Sequence, residues 1–192
     1  GFQGVGAGDV DGDGLADVLI GARYAGSSNH GKVYLVLGRE AASGVLNLND
    51  EADAVFVGFA PNDNAGEALA SSDVDGDGLS DLLIAAPGGD GGSVNAGVVY
   101  LVTNAFSGTE DISEAAWLSM SGSRAYGEMG LSMTHFLDAD GSSMLAAGAP
   151  GIDAGGAVPG DVWIFDASSS GSLQTSDAVG HLTGSVDYGQ AG

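Results

Sequence analysis

The sequence predicts an all-β fold assembled from repeated units of four short antiparallel strands. An aspartate-rich segment of nine residues returns along the chain, together with the apolar runs that follow it. These runs are short and rich in Val, Ile and aromatic residues, and clusters of Gly, Asp, Asn and Ser separate them. No long segment shows a clean helical period. Together these observations favour strands over helices.

The repeat consists of the aspartate-rich segment and two downstream apolar runs. Its first copy is residues 9–17, 18–22 and 31–36, and its second is residues 73–81, 82–86 and 97–102. A third, weaker copy comprises residues 138–141, 144–150 and 160–165, and a fourth begins at Tyr188 and Gly189. An interval of about 64 residues between the first two copies indicates stacked structural units of one kind.

Each unit is expected to contain four strands. In the first unit they are residues 4–8, 17–22, 32–37 and 54–58, and the fourth strand recurs at residues 117–120 and 179–183. Residues 109–117 could form one short turn or helix. Units of about 60 residues with four short antiparallel strands are typical of β-propeller blades, which stack face to face.

The predicted organisation is three blades and the start of another. The boundaries are residues 1–58 for the first repeat, 59–120 for the second, 121–185 for the third, and 186–192 for the start of a further repeat. Propellers close with roughly four to eight blades. We therefore expect a larger propeller, completed by the remaining blades of the same polypeptide or by a second copy; an open stack is the weaker alternative.

The composition excludes several classes of function. Acidic residues number 26 and basic residues four, for a formal charge of −22. Nucleic-acid binding is close to excluded because it requires clustered Lys and Arg, and anionic membranes would repel the chain. No apolar run is long enough to insert into a membrane, and cysteine is absent, which removes thiol chemistry. The charge fits either a solvated surface in an extracellular medium or carboxylates arranged as cation ligands.

The aspartate segments predict two calcium sites. Side chains at the first, third and fifth positions of such a loop project toward one point, the seventh residue can add a carbonyl oxygen, and the last aspartate completes the shell. The predicted ligands of the first site are Asp9, Asp11, Asp13, Asp17 and the Leu15 carbonyl. Those of the second site are Asp73, Asp75, Asp77, Asp81 and the Leu79 carbonyl. Gly14 and Gly78 are expected to adopt a sharp backbone conformation after the third aspartate.

These loops have two other interpretations. A plain Asp-Gly turn without metal would also use these residue types, but four carboxylates within nine residues, twice over, would repel one another unless neutralised. A helix-flanked EF-hand loop is rejected because its twelfth position would be Ile20 or Ile84 instead of an acid.

The third copy departs from the pattern. Phe136 takes the place of the first aspartate and Met144 that of the last, so only Asp138 and Asp140 remain. This loop is expected to bind metal very weakly or not at all, with the apolar replacements packing to hold the turn.

The repeats resemble the FG-GAP repeats of the integrin α-subunit propeller and of related bacterial surface proteins. The resemblance lies in Tyr126-Gly127 and Tyr188-Gly189, in residues 148–150, in the aspartate loops, and in the Gly-x-Val-Tyr segments at residues 31–34 and 97–100. It implies a seven-bladed propeller in full-length members, with calcium at the lower rim and ligand binding elsewhere. Ala65-Gly66 lacks the aromatic residue, Arg23 replaces the proline, and the third loop is degraded.

No catalytic set stands apart from the loops. His30, His135 and His181 share no metal-ligand spacing, and Tyr34, Tyr100 and Trp163 occupy equivalent positions expected in blade cores. Trp117 is less tied to the repeat and is the first aromatic to test for glycan or protein contact.

Two functions follow from these features. The first is a non-catalytic, calcium-binding module for adhesion or for protein or glycan interaction, secreted or at the cell surface. The second is an accessory propeller of a secreted polysaccharide-degrading enzyme.

Overall fold

A computed structural model describes residues 3–39, 44–103, 107–151 and 159–184. Within these ranges the chain forms three β-sheets of four to five strands. The start of a further repeat predicted at residues 186–192, with Tyr188 and Gly189, lies outside the described residues. The all-β, blade-like fold expected from the sequence is confirmed.

The first sheet has the strand order β1-β2-β3-β4-β8. Its strands are β1 (Gln3–Gly8), β2 (Asp17–Ala22), β3 (Lys32–Val36), β4 (Ala54–Val57) and β8 (Gly108–Asp111). The first four pair antiparallel in chain order, as in a propeller blade. A short helix α1 (Leu48–Glu51) precedes β4, with the Asn47 side chain capping its first turn.

The second sheet has the order β13-β9-β7-β6-β5. Its strands are β5 (Leu69–Ser72), β6 (Asp81–Ala86), β7 (Val98–Val102), β9 (Leu118–Ser121) and β13 (Gly171–Gln174). A helix α2 (Ile112–Ala115) leads into β9. Residues 109–117, expected to form a turn or helix, therefore contain the end of β8 and this helix.

The third sheet has the order β10-β11-β12-β14. Its strands are β10 (Ser132–Leu137), β11 (Ser143–Ala149), β12 (Asp161–Asp166) and β14 (Gly180–Thr183). All of its pairings are antiparallel.

The fifth strands of the first two sheets were not predicted. β8 pairs parallel with β4 and β13 pairs parallel with β9. Each of these strands comes from the segment that connects the third and fourth strands of the next sheet. Both strands have polar sequences without apolar alternation. Their strand conformation comes from the open edge that they cover, because an unpaired edge offers free backbone donors and acceptors.

The second sheet lies between the other two and is buried on both faces. Every residue of β6 and β7 is buried. Because side chains alternate across a strand, Leu82 and Ile84 face the first sheet whereas Leu83 faces the third. Phe56 lies in the core toward the first sheet and Phe165 in the core toward the third, and both are fully buried. Face-to-face packing of this kind holds the aspartate loops at one common end of the sheets.

Candidate metal centres

The first aspartate loop connects β1 to β2. One carboxylate oxygen from each of Asp9, Asp11 and Asp13 lies within 4.8 Å of the others. Asp11 and Asp13 are exposed and Asp9 is half-buried, so the group opens toward solvent. The three aspartate side chains that the motif was expected to bring together therefore lie close to one another.

Backbone N–H groups hold these side chains in place. The Asp9 carboxylate accepts hydrogen bonds from Gly12 N at 2.7 Å and Gly14 N at 2.9 Å. The Asp13 carboxylate accepts one from Leu15 N at 2.7 Å. Gly14 has a φ of +87°, which a residue with a Cβ rarely adopts, as expected for the sharp turn. The loop is thus wound around its carboxylates by short local hydrogen bonds.

Asp17 has a different position from the other three aspartates. It is only 1% exposed, and its two oxygens accept hydrogen bonds from Val10 N and Gly38 N, both at 2.7 Å. It lies outside the group formed by Asp9, Asp11 and Asp13. In this geometry Asp17 ties the loop to the chain that follows β3.

The second loop connects β5 to β6 and repeats the winding of the first. Gly76 N and Gly78 N donate to the Asp73 carboxylate at 2.7 and 3.1 Å, and Leu79 N donates to Asp77 at 2.8 Å. The three carboxylates that lie within 4.8 Å of one another are those of Asp73, Asp75 and Asp81. Asp77, the third aspartate of the motif, lies outside this group.

Asp81 differs from its counterpart Asp17 because it belongs to the carboxylate group. Burial raises its pKa to about 6, against the effect of the hydrogen bond that Val74 N donates at 2.8 Å. The negative charges of Asp75 and Asp77 raise it further. A cation at this position would offset the same charges, since its field favours the ionised form.

The donor set of both groups consists of carboxylate oxygens. Such hard oxygen donors suit Ca²⁺ or Mg²⁺ and do not suit metals that prefer sulfur or imidazole. Two groups of three aspartates can therefore hold metal ions, one in each loop. The complete ligand sets, with Asp17, Asp77 and the carbonyls of Leu15 and Leu79, stay predictions.

The third connection, between β10 and β11, is a tight hairpin over residues 138–142. The Asp138 carboxylate accepts hydrogen bonds from Asp140 N and Ser142 N, each at 2.9 Å. Phe136 and Met144 stand directly opposite each other in the strand ladder, and Phe136 is 37% exposed. Backbone pairing and the Asp138 side chain hold this turn, together with the opposed Phe136 and Met144 that were expected to hold it by packing.

Direct contacts link the connections of neighbouring sheets. Ser80 N donates to the Asp9 carbonyl oxygen at 2.9 Å, so the end of the second loop is bonded to the start of the first. This one backbone hydrogen bond joins the two loops that carry the carboxylate groups.

A second set of contacts links the second loop to the third sheet. The Ser143 hydroxyl donates to the Val74 carbonyl at 2.6 Å, and its oxygen lies 2.7 Å from His135 Nε2. Because the Ser143 hydroxyl hydrogen bonds to the Val74 carbonyl, His135 Nε2 carries a proton and donates a hydrogen bond to the Ser143 oxygen. His135 Nδ1 lies 2.8 Å from the Ser72 hydroxyl. Spacing in the sequence gave no signal for this chain of contacts, because it joins residues from different repeats.

Comparison with known proteins identifies the repeat. Residues 2–36 and 65–102 match the FG-GAP repeat family. Both matched segments include an aspartate loop and the strands around it, and the match confirms the resemblance drawn from the sequence.

Two kinds of protein are among the relatives. Phosphatidylinositol-glycan-specific phospholipase D of Rattus norvegicus is 29% identical over 191 residues, which is 94% of this chain and 22% of that protein. Integrin alpha-PS2 of Drosophila melanogaster is 34% identical over 176 residues, which is 86% of this chain and 11% of that protein. The chain thus spans about a fifth of the phospholipase and about a tenth of the integrin.

Proposed function

We propose that this chain, which carries FG-GAP repeats and is related to integrin alpha subunits, is a calcium-binding, non-catalytic interaction module. The observation that carries the proposal is the pair of carboxylate groups at one end of adjacent sheets. Each is wound by the same hydrogen bonds from Gly and Leu N–H groups. A purely solvating acidic surface would need no such convergence.

Calcium is favoured over magnesium by the number and flexibility of the donors. Asp9, Asp11 and Asp13 would hold one ion, and Asp73, Asp75 and Asp81 the other. Calcium accepts six to eight oxygens in flexible geometry, whereas magnesium requires a near-octahedral shell and keeps several waters. The carboxylates of Asp11 and Asp13 are exposed and lie in a turn, so they fit calcium, which accepts the more flexible coordination geometry.

The role of the ions is to stabilise the sheet ends. Each loop concentrates negative charge on a chain whose formal charge is already −22. At millimolar calcium and a dissociation constant of roughly 0.1 mM, each occupied loop contributes about 1 to 3 kcal/mol of folding stability. The interaction surface presented by the sheets would then depend on calcium.

The test is thermal unfolding of the chain in excess EDTA and in a few millimolar calcium. Calcium should raise the midpoint by several degrees, and the Asp9→Ala, Asp73→Ala double variant should lose that rise. Ala variants of two exposed residues outside the loops, Glu110 and Thr109, serve as the matched control and should keep it. An unchanged wild-type midpoint would mean that the loops are turns without a metal.

A second candidate is favoured by the phospholipase relatives. The chain aligns with part of an enzyme, so it could be an accessory module of a secreted enzyme that acts on a glycan-containing or polysaccharide substrate, with catalysis elsewhere. The rest of the reading frame discriminates: a catalytic domain supports this candidate, and adhesin-like repeats or a membrane anchor support the first.

Location and partners follow the same proposal. Among the described residues, no helix is long and apolar enough to cross a membrane. We infer a secreted or cell-surface setting, because sites of this kind fill at extracellular calcium concentrations. Val179 and Leu182 at the outer strand of the third sheet are each 61% exposed, which supports association with further blades of the polypeptide or with a second copy.

A further inference from the structure

A cavity of about 450 Å³ lies between the second and third sheets at the end that carries the aspartate loops. Val74 and Asp75 of the second loop form one side, and Ser143, Ala167 and Ser168 of the third sheet form the other. Its size is within the range of small-molecule sites. It is lined by residues from both repeats and belongs to neither aspartate group alone.

Trp117 lines this cavity and is 52% exposed. Its indole Nε1 donates to the Ser169 carbonyl at 3.2 Å. Its backbone N–H donates to Leu101 O and its carbonyl accepts from Gly171 N, both at 2.9 Å. The backbone of Trp117 is therefore fixed within the second sheet and its ring is tied to the turn after β12, while about half of the residue stays exposed. A fixed, open indole offers a large apolar surface at little cost in side-chain entropy.

Hydroxyl groups line the same cavity as the Trp117 ring. The Ser168 hydroxyl donates to Asp166 at 2.7 Å and keeps its own lone pairs for a further partner. Thr103 also lines the cavity, and its hydroxyl can both donate and accept hydrogen bonds. The cavity thus combines one apolar platform with polar groups of both kinds.

The charge around the cavity selects against anionic ligands. Asp75 is part of the lining, and the whole chain carries a formal charge of −22. A cationic side chain would stack on Trp117, but it has donors only and would leave the donor capacity of Thr103 unused. An uncharged ligand with an apolar face and several hydroxyls satisfies all of these groups.

We propose that this cavity binds a neutral sugar ring of a glycan, stacked on Trp117 and hydrogen-bonded to Thr103 and Ser168. This proposal names a ligand class for the proposed interaction module. It rests on that function only because it requires a folded second loop. The cavity shares Asp75 with the second carboxylate group, but Trp117, Thr103 and Ser168, which would hold the sugar, belong to neither group. Loss of sugar binding and loss of calcium stabilisation are therefore separate outcomes.

The experiment uses the two tryptophans of the chain. In a Trp163→Phe variant, Trp117 is the sole indole, and its fluorescence is titrated with neutral oligosaccharides built from glucose, galactose, mannose or N-acetylglucosamine, in calcium. Trp163 is a suitable residue to replace because its ring stacks on the His181 ring, with the centroids 3.7 Å apart, beside a different cavity. We expect saturable fluorescence change with at least one sugar, matched by calorimetry on the unmodified chain.

Variants then place the ligand. Trp117→Ala should weaken binding by about tenfold or more, Trp117→Phe should retain part of it, and Thr103→Val should weaken it about three- to tenfold. A cooperative thermal transition in EDTA, which does not depend on calcium binding, reports whether each variant is folded. Absence of binding across the panel by a chain that shows this transition overturns the sugar site. So does unchanged affinity in folded Trp117→Ala, or binding of a lysine-rich peptide in place of any sugar.

Discussion

In the first two sheets the connection between the first and second strands gathers three carboxylates, whereas in the third sheet it is a short hairpin. The difference is one of register as well as composition. Gly8 pairs with Asp17 and Ser72 with Asp81, so the first aspartate stays in the loop. In the third sheet the corresponding position, Phe136, pairs with Met144 and belongs to the strand.

That comparison shows that a repeat keeps its sheet without a group of three carboxylates at this connection. The ladder gains the pairs Phe136–Met144 and Leu137–Ser143, and Asp138 closes the turn. In the aspartate loops three carboxylates converge, so their charges repel one another. In the hairpin the Asp138 carboxylate accepts hydrogen bonds from two backbone N–H groups.

The largest expected effect separates the two kinds of connection by their calcium dependence. Asp73→Ala should cost about 1 to 3 kcal/mol more stability in calcium than in EDTA, because the ion is lost with its ligand. Asp138→Ala should cost about 1 kcal/mol equally in both media, since it removes only turn hydrogen bonds. Urea unfolding with and without calcium measures both. Equal calcium dependence of the two variants would contradict the distinction.

A second test asks whether strand register or amino-acid composition determines calcium binding at the third connection. Phe136→Asp with Met144→Asp restores the full aspartate motif in the third repeat, yet it places like charges opposite each other in the ladder. We expect a loss of about 1 kcal/mol in EDTA and less calcium stabilisation than either natural loop gives. Calorimetric titration counts the sites. A third site as strong as the others would mean that the carboxylates reset the register.

The contact between the second loop and the third sheet can be broken at His135. His135→Ala removes both of its hydrogen bonds, to the hydroxyls of Ser72 and Ser143, and should cost about 1 to 2 kcal/mol of stability. Thr134→Ala, at the exposed neighbouring residue, should cost far less. Denaturant unfolding compares the pair, and equal losses would show that the chain of contacts does not stabilise the sheet interface.

The smallest expected effect concerns Asp63, a buried carboxylate away from the loops. Burial raises its pKa, although Ala60 N donates to it at 2.7 Å. A raised folded-state pKa favours the protonated form, so its contribution is present at low pH and is lost as the pH rises through that pKa. Asp63→Asn keeps an acceptor without the charge and should gain up to about 1 kcal/mol at pH 7. The gain should shrink toward pH 4 in pH-dependent unfolding, and a gain independent of pH would contradict this account.

The sequence predicted the strands and the carboxylate groups because both depend on local pattern. Short, continuous apolar runs mark β2, β3 and β6, and the spacing of Asp9, Asp11 and Asp13 brings their side chains together. The positions of Asp17 and Asp77 outside the groups of three carboxylates were not foreseen. Asp17 binds two N–H groups, one of them on distant Gly38, and such a contact depends on where another part of the chain passes.

Strand β8 has a consequence for synthesis at the ribosome. The first sheet is completed by residues 108–111, which follow β7 of the second sheet in the chain. During vectorial translation the edge of β4 therefore stays open until most of the second sheet has emerged. An exposed edge can pair with another nascent chain. The interleaved strand order thus couples the folding of each sheet to the emergence of the next one, and a ribosome stall between residues 58 and 107 would leave that edge uncovered.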